Sequence, residues 1–421
     1  MPTFEDMQNN LPLVTNDAVV LGMLAAILGL VFWSASRPDG FWKKFYTYVP
    51  ALLLCYLVPA ILNTLGVIDG SLSKLYPMAR DFLLPSALVL LCVAIDFGAI
   101  VRLGPKAIIM FLTGTAGIML GALVSFEAVR IIHPETVAGE TWRGLTTITG
   151  AWIGGGANQA AMKEVFEVDA TLFGQFVAVD VLVANLWTAV LLFLAGRAEA
   201  FDRWTGADLS AINALKARIE AYQATHARVP TLTDVMVVLA VGLGVTGLSH
   251  ALTGPTLAWI GSLPPEWRLK DYSLTSAFFW MVVFATTFGL LLSFTRARKL
   301  EGAGASTIGS AMLYVLVATI GMQMDLNALV DRPWLFLLGL IWICVHGGLL
   351  LLMAKLIRAP LFFMAVGSQA NVGGAASAPV VASAFHPALA PVGVLLAVLG
   401  YALGTYCAYL TGLLLRMLAT T

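Results

Sequence analysis

Two glycine-rich stretches flanked by amide side chains are the residues whose types and spacing could bind a ligand. They are GAWIGGGANQAAM (150–162) and GSQANVGGAASAP (367–379), and long apolar runs surround both. Glycine permits a tight turn and a close approach of the backbone. A helix that ends at such a turn exposes carbonyl oxygens that favour a cation, and a helix that begins there exposes N–H groups that favour an anion. Each stretch could therefore hold both parts of a small charged ligand.

The candidate ligand-binding residues are those that the two turns would expose. Glycines in membrane helices also serve close helix packing. Two amide-flanked clusters at corresponding positions nevertheless favour a binding role. The predicted substrate-binding residues are Gly155, Gly156, Asn158, Gln159, Gln369, Asn371, Gly373, Gly374 and Ser377.

One carboxylate, Asp180, lies near the middle of the apolar run 170–196. An ionisable side chain at that depth is costly, and a functional role is the default interpretation. We predict that Asp180, with Asn185 and Thr149, forms a coupling site for Na⁺ or H⁺. The alternative is a buried carboxyl group that is protonated or hydrogen-bonded for structural reasons. His346, also within an apolar run, is open to either a functional or a packing role.

Composition identifies the class of protein. Hydrophobic residues make up 59% of the chain, charged residues 11%, and the mean hydropathy is +0.87. These values indicate a multi-pass membrane protein. A formal net charge of zero argues against a nucleic-acid partner. The sequence offers neither a metal-ligand set nor a nucleophile and base at one depth, so we expect no enzyme activity and no cofactor beyond a bound Na⁺.

Hydropathy predicts an all-α fold with ten membrane-spanning helices and two shorter glycine-rich segments, 144–162 and 360–384. The N-terminal segment is acidic and lacks a basic region, so we expect the first apolar run to be retained as a helix. The ten predicted spans are 17–35, 45–64, 79–95, 105–126, 170–196, 231–253, 273–294, 306–323, 333–354 and 388–415.

The distribution of basic residues favours re-entrant hairpins for the two glycine-rich segments. If both segments turn back and both termini lie outside, the RARK cluster (296–299) and the basic linker 197–230 fall inside. A full crossing at 144–162 would place both outside, which the positive-inside rule disfavours. Ordinary or unwound spans remain the alternative. We expect a multi-pass helical protein of this kind to lie in the inner membrane of a bacterium.

The two halves of the chain contain similar sequences in the same order, which indicates an internal repeat. TNDAVVLGMLAAILG (15–29) resembles TDVMVVLAVGLGVTG (233–247), and IGGGANQAA resembles NVGGAASAP further on. The predicted topology makes these repeats inverted, with hairpin tips that meet near mid-membrane, where secondary transporters bind substrate. The predicted organisation is a first repeat (1–196), a cytoplasmic linker with an amphipathic helix (197–230) and a second repeat (231–421).

The motifs ITGAWIGGGANQAAM and VGSQANVGGAASAPVVASAF resemble those of the YjcL-like bacterial membrane proteins, a family of unknown function. More distantly, the organisation is similar to that of the sodium:glutamate and citrate symporters, whose inverted repeats each end in a glycine-rich re-entrant loop and which work as dimeric elevators. That resemblance implies a sodium-coupled organic-anion carrier in which residues 154–159 and 369–377 bind substrate and ion. This chain departs from those symporters in having no arginine beside either tip.

The sequence therefore favours a secondary active transporter that carries a small organic anion or amino acid with Na⁺ or H⁺. We expect a scaffold (17–95 and 231–323) that forms a homodimer and a moving transport domain (105–196 and 333–417). A channel or passive pore is the alternative, because re-entrant helices also build selectivity filters.

Overall fold

The computed structural model describes residues 12–37, 39–49, 51–207, 230–267, 269–272, 274–324, 333–386 and 389–420. The regular structure of these ranges is helical, which confirms the predicted all-α membrane fold. In chain order the helices are α1 (Asp17–Ala35), α2 (Gly40–Tyr48), α3 (Ala51–Thr64), α4 (Leu75–Val93), α5 (Phe97–Arg102), α6 (Pro105–Ile132), α7 (Pro134–Val137), α8 (Thr141–Val165), α9 (Ala170–Ala195), α10 (Ala198–Thr205), α11 (Leu232–Gly261), α12 (Ala277–Ser293), α13 (Ala305–Gly321), α14 (Trp334–Leu356), α15 (Leu361–Val372), α16 (Gly374–Phe385) and α17 (Ala390–Ala419).

Within the described ranges, seven helices are long and apolar enough to cross a membrane, namely α1, α4, α6, α9, α11, α14 and α17. The other three predicted spans contain shorter helices: α3 has 14 residues, and α12 and α13 have 17 each. A 17-residue helix is about 26 Å long, somewhat less than the roughly 30 Å of a typical hydrocarbon core. The chain bends by 95° after α12 into a 3₁₀ turn, Arg296–Ala303.

The helices pack mainly in two sets. In one set, α4 packs against α11, α12 and α13, and α3 packs on α13. In the other set, α6 lies along α14, α8 lies along α17, and α15 and α16 fill the space between α6 and α17. The sets meet where α8 and α17 approach α4, α12 and α13. This packing brings the two glycine-rich segments to the centre of the second set.

The loops sort to the two ends of the bundle as the basic-residue pattern predicts. One end gathers three pairs: Lys106 with the carbonyl oxygen of Arg358, Lys355 with that of Trp204, and Arg298 with Asp96. The other end gathers His133 with Trp334, His250 with the carbonyl oxygen of Asp81, and Arg130 with that of Leu418. Which end faces the cytoplasm stays a prediction. The predicted amphipathic part of the linker lies almost wholly outside the described residues; α10 forms the start of the linker.

Candidate functional site

The glycine-rich segment of α8 is a re-entrant hairpin, which we call hairpin 1. Its backbone leaves the helical region at Gly155, with φ 73° and ψ −174°. The two ends of the segment lie together: Arg143 Nη1 donates to the carbonyl oxygen of Phe166 at 2.6 Å, and the rings of Trp142 and Phe166 are 5.7 Å apart. In one continuous helix, residues 143 and 166 would be about 35 Å apart. The chain therefore enters the bundle and returns to the same end.

The second glycine-rich segment, α15 and α16, forms hairpin 2. Its turn lies at Gly373 and Gly374, and Gly374 has a φ of 60°. The rings of Phe362 and Phe385, near the two ends of this segment, are 5.5 Å apart. This segment, too, returns to the end at which it began.

The bases of the two hairpins lie at opposite ends of the bundle. Hairpin 2 is anchored by Asp202 of α10, whose Oδ1 accepts a hydrogen bond of 2.7 Å from the Leu361 N–H. Partial burial raises the pKa of the Asp202 carboxyl, and the Leu361 hydrogen bond opposes that shift. The base of hairpin 1 instead contacts Tyr76 and Arg80 of α4, at the other end. Opposite entry is what the inverted topology predicts.

Helix α9 runs between these ends and contacts both hairpins. Asp180 accepts hydrogen bonds from Trp152 Nε1 at 2.7 Å and from Gln159 Nε2 at 3.0 Å, both in hairpin 1. Two turns further along α9, Thr188 accepts a hydrogen bond from Gln369 Nε2 of hairpin 2 at 2.8 Å. One helix therefore ties the two hairpins together.

These hydrogen bonds fix the depth of the two tips. Asp180 and Thr188 are about 12 Å apart along α9. The turn at Gly155 extends about 5 Å beyond the residues that bond Asp180. The turn at Gly373 extends about 6 Å beyond Gln369, in the opposite direction. Both tips consequently lie at nearly the same depth, close to the middle of α9.

Asp180 is 9% exposed, and within the described chain neither of its oxygens has a cationic partner. The structure does not bring the other two predicted coupling residues to it. Asn185 is exposed and donates to the Val181 carbonyl oxygen at 2.7 Å. Thr149 is buried and donates to the Leu145 carbonyl oxygen at 2.9 Å. Asp180 instead accepts its hydrogen bonds from Gln159, which was predicted to bind substrate, and from Trp152. Trp152 was not predicted as a site residue, although it lies within GAWIGGGANQAAM (150–162).

Asn158 fastens hairpin 1 to α17. Its Nδ2 donates to the carbonyl oxygen of Gly154 at 2.9 Å and to that of Tyr401 at 3.1 Å. Its Oδ1 accepts a hydrogen bond of 2.6 Å from Thr405. Since Asn158 is fully buried with three bonds made, it anchors the hairpin in this conformation.

Asn371 repeats this arrangement in hairpin 2, against α6. Its Nδ2 donates to the carbonyl oxygens of Gly367 at 2.9 Å and Phe111 at 3.0 Å, and its Oδ1 accepts from Thr115 at 2.8 Å. By their hydrogen bonds, Asn158 and Asn371 are structurally equivalent, which aligns the sequence GxxAN at 154–158 with GxxAN at 367–371. The comparison of the two sequences had instead aligned the two glycine clusters. Each hairpin is held by a helix from the other half of the chain.

The remaining predicted residues lie at or beside the tips. Gly156 faces Leu313 of α13, at 3.7 Å from where a Cβ would stand. In hairpin 2, Gln369, Gly373 and Ser377 lie together, and a Cβ on Gly373 would overlap the Ser377 hydroxyl and the Gln369 amide. Glycine is required there for close approach rather than for its backbone angles.

His346 lies beside hairpin 2 in a hydrogen-bonding role. Its Nδ1 is 3.0 Å from the Gly114 carbonyl oxygen, which only accepts, so Nδ1 carries the proton. Its Nε2 then accepts from the Ser368 hydroxyl at 2.8 Å, and that hydroxyl accepts from Trp187 Nε1 at 2.8 Å. This chain of bonds is complete with a neutral imidazole, and it positions hairpin 2 against α6, α9 and α14.

A cavity of about 580 Å³ opens at the base of hairpin 1, between α4, α11 and α12. Its charged lining includes Arg80, Lys163 and Glu164. Glu164 lies 2.9 Å from Lys163 Nζ and 3.7 Å from Arg80 Nη1. A π-helical turn, Ala79–Leu83, displaces α4 beside this cavity, a distortion that often accompanies functional sites. The sequence placed no arginine beside a tip; the fold brings Arg80 to the base of hairpin 1 instead.

Comparison with known proteins places this arrangement in a family. The family model described as "Protein of unknown function (DUF819)" matches residues 22–418. The chain is 24% identical over 375 residues to the uncharacterized membrane protein YjcL of Bacillus subtilis (strain 168), covering 86% of this chain and 89% of the relative. The YjcL-like resemblance read from the two glycine motifs is confirmed. The chain belongs to the DUF819 family of proteins of unknown function.

Proposed function

We propose that this protein is a secondary active transporter whose substrate binds between the tips of hairpins 1 and 2. The observation that carries the proposal is the pair of broken helices that enter from opposite ends and reach the same depth. Irregular backbone at mid-membrane survives only where it is buried in protein or lines a wet cavity. Paired tips at one depth are the arrangement in which such transporters bind substrate.

Coupling would involve Asp180. It is the one ionisable residue of α9, it is buried, and its hydrogen-bond donors are neutral. A carboxylate in that setting gains from a proton or a bound Na⁺, because nothing cationic in the described chain offsets its charge. Gln159 belongs to hairpin 1 and donates a hydrogen bond to Asp180. A change in the charge of Asp180 would therefore alter a hydrogen bond that holds this hairpin.

The two helix sets suggest how the site would alternate between the two sides. We propose that α6, α8, α9 and α14–α17 move as one body past a scaffold of α1, α3, α4 and α11–α13, which would dimerise in the bacterial inner membrane with both chain termini outside. Hairpin 1 lies at this boundary: Gly156 faces Leu313 of α13, and Glu164 bonds Tyr76 of α4. These contacts would break and re-form in each cycle.

The substrate class follows from the groups available. The N–H groups at the start of the outgoing arm of each hairpin favour an anionic group, and the carbonyl ends favour a cationic one. The cavity at the base of hairpin 1 is lined by charged side chains of both signs, namely Arg80 and Lys163 beside Asp81, Glu164 and Glu167, and its volume suits a small metabolite. A small organic anion or an amino acid fits this combination.

The test is uptake of radiolabelled L-glutamate, L-aspartate, succinate and citrate into proteoliposomes under imposed Na⁺ or H⁺ gradients. We expect accumulation above equilibrium for at least one probe, and collapse of that accumulation when an ionophore dissipates the coupling gradient. Asp180→Asn should retain folding, because the Gln159 amide can rotate to pair with the new amide, yet lose gradient-driven accumulation.

The matched control is Glu199→Gln, which neutralises a carboxylate on α10 whose side chain is 93% exposed. It should accumulate substrate like the wild-type protein. Flux that never exceeds equilibrium and ignores both gradients would identify a passive pore and refute the proposal. Wild-type accumulation by Asp180→Asn would remove Asp180 from the coupling step.

A further inference from the structure

Gln369 of hairpin 2 has one polar atom without a partner. The side chain is fully buried. Its Nε2 donates to Thr188 Oγ1 at 2.8 Å and to Ser377 Oγ at 2.7 Å. Its Oε1 has no hydrogen-bond partner in the described chain. A buried amide oxygen left unpaired is costly, and a native protein retains one only for a reason.

Rotating the amide does not remove this unpaired oxygen. Thr188 Oγ1 donates its own proton to the Ala184 carbonyl oxygen at 2.8 Å, so it can only accept from the amide. The atom that faces Thr188 must therefore be Nε2, and Oε1 is fixed on the other side. The surrounding backbone also fits the Gln369 amide closely. Residue 373 must be glycine, because a Cβ there would overlap both the Gln369 amide and the Ser377 hydroxyl.

The surroundings of Oε1 favour a cation. Gln369 belongs to the last turn of α15, where the final carbonyl groups lack partners within the helix and carry partial negative charge. Hairpin 2 contains no Asp, Glu, Lys or Arg between Leu361 and Phe385. Divalent cations usually require carboxylate ligands, and within the described ranges no cluster of three or more His, Cys, Asp or Glu side chains could hold a metal ion. Neutral oxygens at a fully enclosed position suit a small monovalent cation better than a metabolite.

We propose that the tip of hairpin 2 binds a monovalent cation of the size of Na⁺, with Gln369 Oε1 as one of its ligands. Gln369 would then serve the ion rather than the substrate, and it would do so at a different place from Asp180. A role of this cation in transport rests on the proposed function, whereas binding of the cation can be tested without it. Two sites on α9 about 12 Å apart, one beside each hairpin, would let a bound ion order hairpin 2 while Asp180 acts through hairpin 1.

The experiment measures thermal unfolding of the purified full-length protein by tryptophan fluorescence, with NaCl, LiCl or KCl replacing choline chloride at constant ionic strength. We expect Na⁺ to raise the midpoint of the wild-type protein in a saturable manner. Gln369→Met keeps the shape and removes the oxygen, and it should raise the half-saturating Na⁺ concentration roughly tenfold or more. Gln369→Glu keeps an oxygen and adds charge, so it should lower that concentration even if the Met variant folds poorly.

The matched control is Ser383→Ala, on the outgoing arm of the same hairpin, whose hydroxyl bonds only the Pro379 carbonyl oxygen. It should respond to Na⁺ like the wild-type protein. A wild-type unfolding midpoint that is the same in NaCl and in choline chloride overturns the inference. Loss of the Na⁺ response in Asp180→Asn with retention in Gln369→Met also overturns it, but leaves the proposed transporter standing.

Discussion

Gly155 offers a direct test of hairpin 1, because its replacement by alanine should have opposite effects in a hairpin and in a straight helix. Its φ of 73° and ψ of −174° fall in a region that is essentially restricted to glycine. A Cβ there would meet only the ring of Tyr401, at an ordinary 3.5 Å, so no steric overlap confuses the result. The strain would cost about 1–3 kcal/mol. The lower entropy of the unfolded alanine chain offsets about 0.4–1 kcal/mol of this cost, so the expected net loss is about 1 kcal/mol and at most about 2.6 kcal/mol.

Gly156→Ala is the matched control, because it removes the neighbouring glycine without positive φ. Its Cβ would lie 3.7 Å from Leu313 Cδ2, and we expect no loss of stability. The free energy of unfolding can be measured by reversible titration with SDS, followed by tryptophan fluorescence. In a continuous helix both alanines would stabilise the protein by about 1 kcal/mol. Equal stabilisation by Gly155→Ala and Gly156→Ala would refute the hairpin.

The same titration tests other local features of the fold. Thr405→Val and Thr115→Val each remove the donor to a buried Asn Oδ1, of Asn158 and Asn371 respectively; we expect each to cost about 0.6–2 kcal/mol. A negligible effect in either variant would contradict the anchoring role of that asparagine. Arg358 has a φ of 50°, unfavourable for a residue with a Cβ. Relief of about 1–2 kcal/mol of strain, less about 0.4–1 kcal/mol for the freer unfolded glycine chain, should leave Arg358→Gly more stable by about 0.5–1 kcal/mol. Destabilisation would indicate that the Arg358 side chain packs more strongly than its backbone is strained.

Much of the fold could be predicted because membrane insertion depends on local quantities. Apolar length, loop charge and glycine clusters are properties of short segments, and they located both hairpins and their entry from opposite ends. The prediction was less exact for the helices. Three of the ten predicted spans contain helices of 14 or 17 residues, because hydropathy registers apolar length but not where a helix starts, bends or meets a proline such as Pro59.

The candidate site was predicted in part. Asp180 and Gln159 do meet, whereas Asn185 points outward and Thr149 bonds its own helix. Asn185 follows Asp180 by five residues, a rotation of about 140° around the helix, so the two side chains lie on different faces. Trp152 was missed because a tryptophan in an apolar stretch gives no sign that its indole N–H will find a carboxylate.

The sequence by itself determined the class of protein, the two broken helices, their opposite entry and the presence of a carboxylate at mid-depth. The tertiary structure alone decided the partners: Trp152 for Asp180, Thr405 and Thr115 for the two asparagines, and, among the residues that the structure describes, none for Gln369 Oε1. The physical reason is distance along the chain. The Asp180 bond spans 28 residues and the two Asn–Thr bonds span 247 and 256, so each depends on how whole helices cross and rotate against one another. Hydropathy and charge place a helix in the membrane, but only packing sets its rotation.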